Sequence, residues 1–389
     1  MCSLLIAHCQ LASAHGVTVS NVALNGKDPT NDFTLVNFDI AWNNSWRTSS
    51  GPSNWDACWV FVKYRLKTQN IWKHATLNWV DGTGSGDGHT EPANCNIASS
   101  NDNGAGGAYG VFIYSNVDMM QGSVNYTGVK LRWNYGVDGV ADDDSVEVCV
   151  FAIEMVYVPQ GSFYVGDGTV STIQGQFESG TSGMTFQIIS ENALVLGGGG
   201  AGSLGNNNAS GMVTTDDFND VTSQTLPAAF PKGYNAFYCM KYEITQEQYV
   251  EFLNKLTYTQ QATRTANAPN SAAGTGALIN PNASRNGIDI MTPGVFSTIP
   301  AVYACNVNDN GTYNEAADGQ NIACNYLSWA DLAAYLDWAA LRPMTELEYE
   351  KACRGTQAAV VDEYAWGSNG ITQATGISNS GLNNETATN

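Results

Sequence analysis

No stretch constrains this chain more tightly than Leu341–Gly355, LRPMTELEYEKACRG. Thr345 is placed to accept a hydrogen bond from the backbone N–H of Glu348, whose carboxylate can reach back to the N–H of Thr345, so a capping box is expected there. Pro343 cannot continue a helix upstream, and Gly355 is free to take a left-handed conformation that closes one. The result is a short helix with both ends written into the sequence. Tyr349, Ala352 and Cys353 fall on one face at i, i+3 and i+4, while Lys351 and Arg354 occupy the last turn, where positive charge opposes the helix dipole. Two further caps follow the same logic. Thr245 with Gln248 precedes a helix expected to bury Tyr249, Phe252, Leu253 and Leu256, and Ser328 precedes one whose Leu332, Tyr335, Leu336 and Ala339 face inward.

The rest of the chain reads as strand and loop. A length of 389 residues makes two domains the natural expectation. Hydrophobic residues at 43% are enough for cores, whereas 13% charged residues and 40 glycines favour strands and long loops over helices. Alternation at Val17, Val19, Val22 and Leu24, and again from Phe33 to Ile40, predicts half-buried strands with a turn at Asn25-Gly26. Cys58–Leu66, Tyr109–Tyr114, Val129–Trp133 and Val146–Ile153 supply more, so residues 15–150 are read as an all-β sandwich. Trp42, Trp46, Trp55, Trp59, Trp72, Trp79 and Trp133 crowd this region. They could form a sugar-stacking platform, but packing in core and rim is the stronger reading.

Four ordered motifs carry a family resemblance. MVYVPQGSFYVG (Met155–Gly166), YCMKYEITQEQYVEFL (Tyr238–Leu253), NYLSWADLAAYLDW (Asn325–Trp338) and RPMTELEYEKACRG followed by Tyr364-Ala365-Trp366-Gly367 resemble the successive motifs of the sulfatase-modifying-factor family, also called formylglycine-generating-enzyme-like. The resemblance covers roughly residues 150–370. It implies that residues 151–389 form an α+β, C-type-lectin-like domain, incomplete at its C-terminus. It also implies the family reaction, oxidation of a sulfatase cysteine to formylglycine with copper and oxygen. The family's copper-binding cysteine pair lies near later "G-N-V-W-E-W" and "R-G-G-S-W" segments, and neither occurs here. The chain as it stands is therefore not expected to be active, and copper is expected only in a complete family member. The alternative is a non-catalytic extracellular protein that binds a glycan or protein ligand on a lectin-like scaffold; for the enzyme the partner would be a protein or peptide substrate.

Charge and targeting narrow the setting. A net charge of −20 with no Lys/Arg cluster excludes nucleic acid as a partner. Leu4–Ala7 and the Ala12-Ser13-Ala14 site suggest a signal peptide over residues 1–14, hence a secreted or cell-surface bacterial protein, and no stretch is apolar enough to span a bilayer.

Histidine occurs only at positions 8, 15, 74 and 89, so imidazole chemistry is excluded from the family-like region, and His74 reads as a surface or packing residue. Cys305 and Cys324 bracket a loop that a disulfide could close; buried free thiols are the equal alternative. No catalytic residue is assigned. One metal pattern has its own spacing: Asn306, Asn308, Asn310, Gly311 and Asn314 resemble positions 1, 3, 5, 6 and 9 of a calcium loop. Ala317 at position 12 departs from it, with Asp309, Glu315 or Asp318 available for charge, and an Asn/Gly-rich turn without an ion is the competing reading.

Overall fold

The computed structural model describes residues 16–100, 106–168, 175–206, 221–364, 366 and 368–389. The expected signal peptide and the Ala365 and Gly367 positions of the last motif lie outside them. The described residues form a β-rich protein with few helices, grouped in two compact units. One unit takes the described residues of 1–156, 240–342 and 374–388; the other takes 157–239 and 343–373.

The first unit opens with β1 (Thr18–Asp28), β2 (Phe33–Arg47), β3 (Trp55–Leu66), β4 (Lys73–His74), β5 (Leu77–Asn78), β6 (Cys95–Ser99), β7 (Gly107–Ala108), β8 (Gly110–Ser115), β9 (Met119–Trp133) and β10 (Val146–Val158). They pair in one sheet along the path β10-β3-β2-β9-β5-β7, with β1 on β2, β8 on β3 and β6 on β8. Register follows the side-chain alternation: Val36 lies opposite Leu131, and Val60 opposite Val111. Residues Val36, Phe38, Ile40 and Trp42 of β2 share one apolar cluster with Val60 and Val62, Val111 and Ile113, Val129 and Leu131, and Val148. A flat sheet could not bring these strands to one interior, so the sheet curls around it. Asn25-Gly26 is not the turn: both lie within β1 at a register shift, Gly26 has φ +61°, and the chain reverses between Asp28 and Phe33. The Asn-Gly pair serves a bulge, where positive φ is equally needed.

Strand β3 is buried on both faces, from Asp56 to Tyr64. Its even positions Cys58, Val60, Val62 and Tyr64 join the sheet's own core. The odd positions Trp59, Phe61 and Lys63 point the other way because strand side chains alternate. That second face is roofed by a later part of the same unit.

The second unit begins with β11 (Phe163–Val165), β12 (Phe177–Ser179), β13 (Phe186–Ile188), β14 (Leu194–Leu196), β15 (Leu204–Asn206) and β16 (Gln224–Leu226), followed by β17 (Phe237–Met240). Strands β12, β15, β14 and β16 form one small sheet, and β11 and β13 pair separately. The Gly-rich Leu196–Gly205 segment is the tight link between the parallel strands β14 and β15, with positive φ at Gly197, Gly198 and Gly199.

The first unit then resumes with α1 (Gln246–Leu253), α2 (Tyr258–Ala262), β18 (Ile288–Thr292), β19 (Val302–Cys305) and α3 (Trp329–Trp338). The predicted capping box of α1 and the predicted Ser328 cap of α3 are present, the latter completed to a box by Asp331, and α2 carries another box on Thr257 and Gln260. Tyr249 and Phe252 of α1 meet Tyr335 and Trp338 of α3 in an aromatic stack, with ring centroids 5.6 Å apart for Phe252 and Trp338. Trp338 closes on Phe61 at 5.2 Å and on Phe151 at 4.8 Å, and Trp59 Nε1 donates to the Ala339 carbonyl at 2.8 Å. Helix α3 is thus the roof over the second face of β3.

Helix α4 (Glu346–Arg354) returns to the second unit, and the pair β20 (Gly376–Ser378) and β21 (Thr386–Thr388) closes the described chain. The Thr345/Glu348 box forms as expected, and Gly355 ends the helix at φ +67°, though with an extended ψ of −140° rather than the left-handed helical value. The buried face is not the one that the apolar residues suggest. Tyr349 is 57% exposed and Cys353 is exposed, whereas Leu347, Glu348 and Lys351 are buried.

Candidate functional site

In the second unit the motif residues act as clamps on backbone. Lys351 lies beneath the Gly233–Tyr234 turn and donates from Nζ to both carbonyls, at 2.5 and 3.2 Å, between the rings of Phe163 and Phe237. Burial pushes its ammonium down to about 8. Arg354 donates to Asp167 Oδ1 at 3.1 Å, Glu363 Oε1 at 3.1 Å and the Gly166 carbonyl at 2.7 Å, while Gly166 N–H donates to Glu350. Gly166 itself has φ +80°, and a Cβ there would fall 1.8 Å from the Phe177 carbonyl oxygen. Glu350, Lys351, Arg354 and Gly166 therefore hold the fold together.

In the first unit, Lys241 of the second motif anchors a buried hub. Its ammonium meets Glu154 Oε2 at 2.8 Å, Asp56 Oδ2 at 3.2 Å and the Asn44 carbonyl at 3.2 Å. Asp56 also accepts from Trp42 Nε1 and Ser45 Oγ. Two carboxylates share one ammonium, and Glu154, whose Oε1 has no donor, is pushed up to about 7 by burial and by Asp56, against the pull of Lys241.

The asparagine loop follows β19. Asn306 is 1% exposed and donates from Nδ2 to Asp289 Oδ2 at 2.8 Å. Asn308 Oδ1 accepts from Asn310 N–H, Asn310 Oδ1 from Thr312 N–H, and Asn314 Oδ1 from Cys305 N–H, so three of the four asparagines cap the loop's own backbone. Two buried oxygens, Asn306 Oδ1 and Asp318 Oδ1, have no hydrogen-bond partner. Burial holds the carboxyl groups of Asp289 and Asp318 above their ordinary range, helped at Asp289 by the nearby Asp309 and Asp318. Amide and carboxylate oxygens with uncompensated negative charge fit a hard cation such as calcium. Among the described residues, no group of three His, Cys, Asp or Glu side chains is arranged to hold a metal.

Burial raises the Cys239 thiol to about 11 and Cys324 to about 12, and Cys305 well above its ordinary value. No disulfide forms among the described residues, so Cys305 and Cys324 are not bridged.

An open cleft of about 700 Å³ lies in the first unit where the roof over β3 ends. Lys63, the last inward residue on that face, lines it together with His74, Tyr109, Arg264, Trp338 and Arg342. Lys63 is 5% exposed; its ammonium rests 5.4 Å from the Trp338 ring and has neither hydrogen bond nor ion pair among the described residues. Nε1 of Trp338 is buried without a hydrogen-bond partner. Burial pushes Lys63 down to about 7, opposed by Asp337, and burial with Lys63 pushes His74 down to about 3, opposed by a hydrogen bond to the backbone at Val62. Sequence reading passed over Lys63 and treated His74 as packing. The available signal was a lysine directly after the apolar run CWVFV, Cys58–Val62, in a strand-like stretch.

Most of the Trp faces considered for sugar stacking are already in use. Trp42, Trp59 and Trp133 are buried, Arg47 covers Trp55, and Arg65 and Lys255 flank Trp72.

Residues 145–388, more than half of the chain, match the model of the sulfatase-modifying factor enzyme 1-like domain. The chain belongs to this family. No curated protein and no solved structure matches it. The match contains the hub lysine, the asparagine loop and the roof of the cleft, while Lys63, His74 and Tyr109 precede it. No helix among the described residues is long and apolar enough to cross a membrane.

Proposed function

We propose that this protein is an exported ligand-binding member of the sulfatase-modifying-factor family, with an N-terminal β-sandwich joined to a C-type-lectin-like scaffold. The ligand is a glycan or protein group taken up in the cleft, and calcium braces the asparagine loop. The observation that carries this reading is the cleft itself, where buried donors stand without acceptors, as they do in a site shaped for a ligand. Calcium would be held by Asn306, Asn308, Asn310 and Asn314 with Asp318, and the two unpartnered oxygens of Asn306 and Asp318 support it. Its contribution would be to neutralise the raised carboxyl groups around Asp289.

The second reading is the family reaction, oxidation of a sulfatase cysteine to formylglycine, which family membership favours. Burial raises the thiols of Cys239, Cys305 and Cys324, so a metal bound there would have to displace their protons. One preparation tests both. Calcium is expected to raise the melting temperature, and a sulfatase-type cysteine peptide incubated with the copper-treated protein is expected to stay a thiol. Stoichiometric aldehyde in that peptide would overturn the binding reading in favour of the oxidase.

A further inference from the structure

The ligand-binding reading leaves open what chemistry the cleft accepts, and the arrangement around Lys63 answers it. A lysine inside a protein is held where its ammonium can pair, because an isolated buried charge is costly. Lys63 is almost fully buried, and its surroundings offer two aromatic rings, Phe61 and Trp338, in place of an ion partner. Beside it, Trp338 Nε1 is a buried donor with nothing to donate to. Lys63 and Trp338 thus bring two donors to one cleft, and neither has an acceptor among the described residues. In a chain of net charge −20, the same cleft gathers Lys63, Arg264 and Arg342.

We infer that the cleft binds a monoanionic carboxylate ligand, its carboxylate against Lys63 and Trp338 Nε1 and its ring against the Trp338 and Tyr109 side of the cleft. The balance of charge selects one negative charge over two. Arg264 is already paired with Asp331 at 3.1 Å, and Asp337 lies near Lys63, so a dianion would meet a single uncompensated ammonium and a repelling carboxylate. A ring-shaped body matches an opening walled by Trp338, Tyr109 and Phe252. An acidic sugar and an aromatic acid present this same chemistry. Binding also draws a proton onto Lys63 at neutral pH. The other charged or titratable groups lining the cleft are His74, Tyr109, Asp337, Arg264 and Arg342.

This inference rests on the ligand-binding reading, and calorimetry on the purified protein separates the two. Glucuronate and benzoate are titrated beside their neutral counterparts, glucose and benzyl alcohol, in buffers of different ionisation enthalpy. The expected result is that at least one acid binds with proton uptake, and that Lys63→Met weakens it by about ten- to a hundredfold, the worth of a hydrogen bond to a charged group. Binding by glucuronate alone identifies an acidic sugar, and by benzoate alone an aromatic acid. Neutral compounds bound as tightly as the acids, with Lys63→Met indifferent, would overturn the carboxylate inference and leave the general binding reading standing. No binding of any of the four up to millimolar concentration overturns the inference as well. Lys63→Met removes a buried charge, and a cooperative melt at or above the wild-type temperature verifies that it folds.

Discussion

Two buried lysines of the same unit have opposite surroundings. Lys241 sits between Asp56 and Glu154 with the Asn44 carbonyl as a third acceptor; Lys63 has aromatic rings and no acceptor at all. Burial opposes the charge of both, yet the ammonium of Lys241 is raised by its carboxylates while that of Lys63 falls to about 7. The contrast separates structural from functional burial. A charge whose partners are folded in with it is part of the scaffold, and a charge left without them is placed for something that arrives later.

Lys241→Met is the change that tests the first half of this contrast hardest. It leaves two buried carboxylates facing each other, and a loss of about 3–5 kcal/mol of stability is expected in denaturant unfolding. A loss under about 1 kcal/mol would mean that the hub is not a scaffold element. Lys63→Met should move stability the other way, by about 1–4 kcal/mol, since it replaces an unpaired buried charge with apolar volume. Destabilisation in the same assay would show that Lys63 has a partner in the folded chain.

The pH dependence sharpens the comparison further. Lys63 has a folded value near 7 against an ordinary 10.5, so the unfolded chain binds the extra proton between these limits and stability climbs with pH through that window. The difference in unfolding free energy between wild type and Lys63→Met should therefore shrink from pH 7 to 9, by at most about 1.4 kcal/mol per unit. A difference that stays flat contradicts the lowered value. Smallest is Ser328→Ala, which removes the cap of α3 while touching neither lysine and should cost about 0.5–1 kcal/mol. If that change alters carboxylate binding as strongly as Lys63→Met, the cleft depends on the roof helix as much as on the ammonium.

Local signals were legible wherever a few neighbouring residues decide the outcome. The boxes at Thr245, Ser328 and Thr345 formed because both partners lie within one turn, and β2 alternates as its apolar pattern predicts. Asn25-Gly26 misled because positive φ serves a bulge as well as a turn. Helix α4 misled because Lys351 reaches carbonyls of residues 233 and 234, more than a hundred positions away, and takes the buried face from Tyr349. The asparagine pattern located a real loop, but the spacing could not say that three side chains cap its backbone and only Asn306 and Asp318 keep a buried oxygen unpaired.

By itself the sequence determined the family, the β-rich character, the starts of α1, α3 and α4 and the absence of imidazole from residues 145–388, because each depends on composition or on short-range order. Tertiary structure alone decided which lysine is a strut and which a waiting ligand group. Lys63 and Lys241 are both lysines in apolar company along the chain, and the partners that distinguish them, Asp56 and Glu154 for one and the roof of α3 for the other, are brought in from distant segments. A charge is defined by what surrounds it in space, and the chain order does not contain that.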